Sequence, residues 1–183
     1  MAEAVNQEAK ARARVVLSPD QGETVWLRKL GIRFMVGGEE TQDNFALVEH
    51  PIGPRALAAP MHTHRHEDEY TYVLEGVVGV QVGEEVLVAR PGDLVFKPRG
   101  VPHAFWNPAE EPARALEIIS PAGFERYFAE LAPLFPPANK GPLDEEAISA
   151  VREKYGLEMD MGSIPVLAER HGLLGDAPPP SGK

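Results

Sequence analysis

The sequence predicts a mostly β fold, a small antiparallel barrel or sandwich with a helical C-terminal extension. Three observations carry this reading. From about residue 14 to 120 the chain is dense in Val, Ile, Leu, Phe and Thr and is cut by Gly or Pro every several residues. Within that zone apolar and polar residues alternate with the period of a strand. From about residue 121 to 176 the apolar residues fall instead at helical spacing. Gly 17 and Pro 18 in 183 residues supply many turns, and 43% hydrophobic with 25% charged residues is ordinary globular composition. A chain of this length buries roughly 70% of its unfolded surface, enough for one core without disulfides or a structural metal.

Element by element, residues 1–13 are Ala- and charge-rich and are expected to form a frayed or disordered lead. Strands are expected over 24–36, 44–49, 70–74, 77–82, 85–89, 94–97, 103–106 and 113–119. Gly83-Glu84 lies between two of these, and Gly at the first turn position suits a type II′ hairpin. In the extension, Phe124, Tyr127, Phe128 and Leu131 fall at i, i+3, i+4 and i+7, one apolar helical face that stops at Pro133. A second helix is expected from Asp144 as N-cap, with Leu143 and Ile148 as a hydrophobic staple, to Gly156. A third runs from near Ser163, with Pro165 in its first turn, to Gly172. The Pro-rich stretch at 177–183 reads as a tail.

Charge and composition exclude several functions. The net charge of -10 disfavours nucleic acid and anionic membranes as partners. No apolar run is long enough for a membrane span. The first residues lack an apolar leader segment, so a cytoplasmic protein is expected. With Cys 0, thiolate zinc sites and cysteine nucleophiles are excluded. Phosphate-binding glycine loops, a Gly-x-Ser-x-Gly elbow and His-Glu-x-x-His are also missing, which leaves hydrolase, kinase and dinucleotide readings without support.

The chemistry lies in the histidines. Four of the six sit in two clusters, Pro60-Met-His62-Thr-His64-Arg-His66-Glu-Asp-Glu69 and Pro98-Arg-Gly100-Val-Pro-His103-Ala-Phe-Trp-Asn107. On a strand His62 and His64 share a face, so two imidazoles can converge on one metal ion. Glu69, after a short polar turn, can swing back to the same point, and His103 can supply a third imidazole from another hairpin. Alone, His-x-His is weak evidence of a metal site. The frame around it is stronger, because Gly92, Pro98, Gly100, His103 and Asn107 recur at that spacing by chance on the order of once per million windows. His66 shares the parity of His62 and His64 but lies in the polar turn, and solvent exposure is expected for it. His50 and His171 have no motif around them, and no function is assigned to them.

These clusters resemble the two motifs of the cupin superfamily. The second matches throughout, and the first departs at Ala56, where the family has Gly. The resemblance covers roughly residues 42 to 120 and implies an antiparallel barrel of the jelly-roll type. It also implies metal ligation by His62, His64, Glu69 and His103. Three imidazoles and a carboxylate suit one divalent first-row transition metal (Fe, Ni, Mn, Co, Cu or Zn) and leave coordination positions for substrate and O2. By parity Thr71 and Val73 share the inward face of Glu69, and Phe105 that of His103. The three are expected to form a mostly apolar substrate pocket, although inward residues of any small barrel are core first. Tyr70, Tyr72 and Trp106 face the other way, toward a second sheet or a subunit contact.

Within the superfamily, the segments around Glu69, His103 and Phe124 resemble bacterial quercetinase-like monocupins. The likeness implies a flavonol 2,3-dioxygenase in which Glu69 takes the substrate hydroxyl proton, and it implies a homodimer. The same scaffold hosts binding and sensor proteins and isomerases, so a non-catalytic metal-bearing cupin or a metal-dependent isomerase stands as the alternative.

Overall fold

The computed structural model describes residues 16–135 and 143–174, so the expected lead at 1–13 and tail at 177–183 lie outside the described residues. The chain builds two antiparallel sheets facing each other across one core, the jelly-roll form of the expected mostly β fold. In chain order the strands are β1 Thr24–Leu27, β2 Leu30–Val36, β3 Ala46–Ile52, β4 Leu57–His64 and β5 Asp68–Glu75. There follow β6 Val78–Val82, β7 Glu85–Ala89, β8 Leu94–Lys97, β9 His103–Trp106, β10 Ala113–Ser120 and β11 Leu157–Met159. One sheet has the order β1-β2-β3-β10-β5-β8, and the other β11-β4-β9-β6-β7.

Alternation sets which side chains fill the space between the sheets. In β10, Ala113, Ala115, Glu117 and Ile119 are buried while the residues between them are only half-buried. Ile32, Val48, Ile52, Val73, Val78, Val80 and Phe105 complete the barrel interior from the other strands. Gly83 turns the β6–β7 hairpin with φ +58, and Val82 pairs Glu85 across a two-residue loop. Because Glu84 keeps a negative φ, this fits the II′ form rather than I′.

Three expected strands differ in extent, one of them, 70–74, only in running from Asp68 to Glu75. The run 24–36 is two strands, because Arg28 adopts φ +58 and Leu27 pairs with Leu30 across a tight turn. No Gly, Asn or Pro marks that turn, so composition carries no sign of it. The strand expected at 44–49 starts later and continues through Pro51 to Ile52.

The extension folds onto the barrel. Its helices are α2 Glu125–Leu131, α3 Glu145–Lys154 and α4 Ser163–His171, preceded in the chain by the single turn α1 Gly38–Thr41. The stripe Phe124, Tyr127, Phe128 and Leu131 is buried in the same core as the barrel strands. Asp144 caps α3 by accepting the Ala147 N–H at 3.0 Å, and the helix gives way to Gly156 at φ +64. After α3 the chain adds β11, a strand not expected from sequence, which pairs Leu157 with His64 and Met159 with His62. Next, α4 covers the outer face of the five-stranded sheet, where Trp106 stacks on His171 at 4.1 Å between ring centroids. Trp106 is therefore covered by the chain's own helix. On the outer face of the six-stranded sheet, Tyr70 stacks on Phe96, and Tyr72, Leu94 and Phe96 stay exposed. No helix among the described residues is long and apolar enough to cross a membrane.

Phe124 joins the extension to the site, with its ring 4.2 Å from that of His64 and 1% exposed. Truncating a fully buried Phe costs about 3–5 kcal/mol. Phe124→Ala is expected to lose that much in denaturant unfolding. A loss within about 0.5 kcal/mol, the size of a surface change, would make the extension an appendage.

Candidate metal centre and cavity

Sheet pairing assembles the site from both layers. His62 and His64 stand on β4, and His62 lies directly across from His103 on β9, in one sheet. Glu69 stands on β5, in the other. One ligand atom from each of His62, His64, Glu69 and His103 lies within 4.8 Å of the rest, and all four residues are buried. The imidazole centroids are 4.3 Å apart for His62–His103, 5.1 Å for His62–His64 and 5.4 Å for His64–His103. Glu69 reaches in with Oε1 3.3 Å from His64 Nε2 and Oε2 3.2 Å from His103 Nε2.

The surroundings fix the proton positions. His62 Nδ1 lies 2.7 Å from the Pro60 carbonyl and His103 Nδ1 lies 2.9 Å from the Val101 carbonyl. A carbonyl only accepts, so each Nδ1 donates and each Nε2 keeps its lone pair toward the centre. Burial holds the His62 imidazole well below its ordinary value, reinforced by the two neighbouring imidazoles, and burial also lowers His103. For Glu69, burial works to raise the carboxyl, but the neighbouring His64 imidazole and Lys97 ammonium outweigh it and hold the group well below the usual carboxylate range. The centre thus gathers the Nε2 lone pairs of His62 and His103, and the His64 ring, around an ionised carboxylate. The His103 Nε2 lone pair and Glu69 Oε2, 3.2 Å apart, repel unless a cation lies between them, and among the described residues the buried His64 Nε2 has no hydrogen-bond partner. The donor set fits one divalent transition metal, with the Nδ1 protons of His62 and His103 held away from the centre as ligation requires.

A cavity of about 280 Å³ opens above the quartet. Phe105, Phe124, Tyr127, Phe128 and Leu131 give it mostly apolar walls, while His62, His64 and Glu69 stand at its polar end. Of the expected pocket residues, Phe105 lines it and Thr71 and Val73 do not. Thr71 does face inward, but its hydroxyl is engaged by Glu117, donating at 2.8 Å to Oε2. Val73 lies one strand step deeper, in the solid apolar core. His66 is exposed and stands outside the quartet.

Four polar residues near the centre were not singled out by sequence reasoning. Glu67 is buried, with Oε2 3.5 Å from His64 Nδ1. Lys97, 1% exposed, places Nζ 2.8 Å from Glu69 Oε2 and 3.0 Å from Glu117 Oε1. Burial pushes the Glu117 carboxyl up to about 7, against the lowering effect of Lys97. His50 lies between the rings of Phe105 and Phe128 with Nδ1 3.0 Å from the Gly31 carbonyl. Strand parity carries a signal for two of them. Lys97 shares the inward register of Val95, and Glu117 that of Ala115 and Ile119, so each is a charge in an otherwise apolar row.

Burial lowers the His50 imidazole to about 4 from an ordinary 6.5. A depressed folded-state value stabilises the fold above pH 6.5, and that stability is lost as pH falls toward 4. The shift corresponds to about 3 kcal/mol at most. His50→Gln keeps a donor for the Gly31 carbonyl and removes the titration. Across that pH window the wild type is expected to lose more unfolding free energy than His50→Gln, by up to that amount; parallel losses would contradict it.

Comparisons with known proteins agree with this geometry. Residues 49–119 match the family described as Cupin domain. Among curated proteins, the chain is 36% identical to rat (Rattus norvegicus) Pirin over 111 residues, which is 56% of this chain and 36% of that protein. It is 28% identical to the Xanthan biosynthesis protein XanB of Xanthomonas campestris over 117 residues, 62% of this chain and 24% of that protein. The chain therefore spans only about a third or a quarter of these relatives. Among solved structures, KdgF from Halomonas sp. superposes with a TM-score of 0.54 at 17% identity, covering 60% of this chain and 97% of that one. A predicted oxalate decarboxylase from Thermotoga maritima superposes at 0.55 and 16% identity, covering 58% and 98%. At such identities the structural likeness speaks for the fold alone. The family match at residues 49–119 spans all four quartet residues, and within it the chain is similar to cupin domains.

Proposed function

We propose that the protein is a metal-dependent dioxygenase of a planar enolic or phenolic small molecule, with O2 as co-substrate and a flavonol as the model substrate. The observation that carries this reading is the buried His62, His64, Glu69, His103 quartet at the polar end of a mostly apolar cavity of about 280 Å³. Bound there, a divalent metal of the Fe, Ni, Mn, Co, Cu or Zn series supplies Lewis acidity and a place for O2. The chain's own residues do the rest. Phe105, Phe124 and Phe128 hold a flat ring system and exclude water. Glu69, ionised at neutral pH, takes the hydroxyl proton.

A second reading, a metal-dependent isomerase, draws on a different observation. Glu117 borders the cavity beside Lys97 with its carboxyl near 7, an acid–base group that isomerisation uses and oxygenation does not need. One experiment separates the two. Protein loaded with Fe, Ni, Co or Mn is incubated with quercetin with and without O2, while visible absorbance and O2 uptake are followed. Oxygen-dependent bleaching with at least one metal is expected. If no metal gives it, the flavonol reading falls and the weight passes to an isomerase or a non-catalytic binding protein.

A further inference from the structure

Lys97 is an unusual residue for the inside of a barrel. Its strand β8 pairs with β5 so that Lys97 lies directly across from Glu69, and β10 on the other side of β5 pairs Glu117 with Thr71. The ammonium is surrounded on three sides. Nζ lies 2.8 Å from Glu69 Oε2, 3.0 Å from Glu117 Oε1 and 4.9 Å from the centroid of the Phe105 ring. Glu117 is itself fixed, because the Thr71 hydroxyl donates to both its oxygens, at 2.8 and 3.1 Å. Thr71, Glu117, Lys97 and Glu69 thus form one buried chain that ends on the carboxylate of the quartet.

Fold stability does not account for such a chain. A buried ion pair repays little beyond its desolvation, and apolar residues of similar size commonly replace one without loss. Orientation does account for it. A carboxylate has two equivalent oxygens, and left free it can turn to present either or both to a cation. Here Oε2, on the His103 side, is engaged by the Lys97 ammonium, whereas Oε1 lies on the His64 side with no Lys or Arg against it among the described residues.

We propose that Lys97, held by Glu117 and Thr71, is a positioning residue that retains Glu69 Oε2 and leaves Oε1 as the oxygen offered to the metal. The inference rests on the quartet holding a metal, and its test keeps the two claims apart. Cobalt(II) serves as the probe, read by affinity and by its visible and electron paramagnetic resonance spectra. Lys97→Met removes the hold on Oε2. The double variant Lys97→Met/Glu117→Leu removes it without leaving Glu117 unpaired, and so guards against a fold that fails. Glu117→Gln retains Lys97 and an oxygen facing it.

Supporting partners of metal ligands are commonly worth 10–100-fold in affinity, so both Lys97 variants are expected to bind cobalt at least about tenfold more weakly. Both are also expected to show altered spectra, since Glu69 is free to change how it binds, while Glu117→Gln keeps the wild-type spectrum. A lowered unfolding temperature with wild-type spectrum and affinity would reduce Lys97 to a structural charge and overturn the proposal. So would a Glu117→Gln spectrum displaced as far as that of Lys97→Met. If the wild type binds no cobalt, the metal reading falls and this inference falls with it. If the wild type binds and the Lys97 variants are unchanged, only this inference falls.

Discussion

His62→Ala and His103→Ala are each expected to weaken metal binding by more than about a hundredfold while the barrel stays folded. Removing a supporting partner of a ligand already costs up to about a hundredfold, and here the donor atom itself is lost. The two histidines are the tightest ring pair in the quartet, 4.3 Å between centroids, and each is oriented by a backbone carbonyl that the variant leaves in place. The apolar core around them, from Ile32 to Ile119, keeps its own packing partners in these variants. Two measurements on the same preparations decide the matter: metal per chain after dialysis, and the unfolding transition. His66→Ala is the control, since its side chain is exposed and outside the quartet, and its metal content is expected to match the wild type. Full occupancy in both His62→Ala and His103→Ala would remove the ligand assignment.

The quartet was legible in the sequence because strand geometry makes it a local property. His62 and His64 need only period two, and the glycines and prolines that frame His103 mark the turns that bring its hairpin back. Gly92 and Gly100 both take positive φ, as their places in the motif require. Thr71 and Val73 show where parity stops informing. It gives the face of a strand correctly, but not how far along the strand the cavity reaches before apolar packing closes it. Lys97 and Glu117 are readable by the same parity, as charges in apolar rows, but no ligand-type spacing marks either of them.

The placement of the C-terminal extension was less legible, for a different physical reason. The stripe of Phe124, Tyr127, Phe128 and Leu131 announces a buried helix face, yet no periodicity says which surface it meets. Here it meets the mouth above His64. The strand β11 is three residues long, too short for alternation to show. Its Leu157 reads equally well as the apolar residue that follows a helix-ending glycine.

Glu69→Gln is expected to retain more metal than His62→Ala and still lose flavonol turnover by a factor of about a hundred or more. The amide keeps the shape of the side chain and one oxygen donor, but it surrenders the charge and nearly all the basicity. The geometry sets the demand on wild-type Glu69: an oxygen within about 3 Å of the substrate hydroxyl. The electrostatics set the kind of hydroxyl. The Lys97 ammonium and the His64 imidazole beside it, which keep Glu69 ionised in a buried site, also make it a weak base, suited only to a proton already made acidic. An enol or phenol polarised by a divalent cation meets that condition, and an aliphatic alcohol does not. The measurement is the initial rate of quercetin bleaching per metal-loaded site, so that lost metal is not counted as lost chemistry. An undiminished rate in Glu69→Gln would keep the oxygenase and end the base assignment. A hundredfold loss at equal metal content would place the proton on Glu69, because the substitution leaves the cavity walls and the three imidazoles as they are.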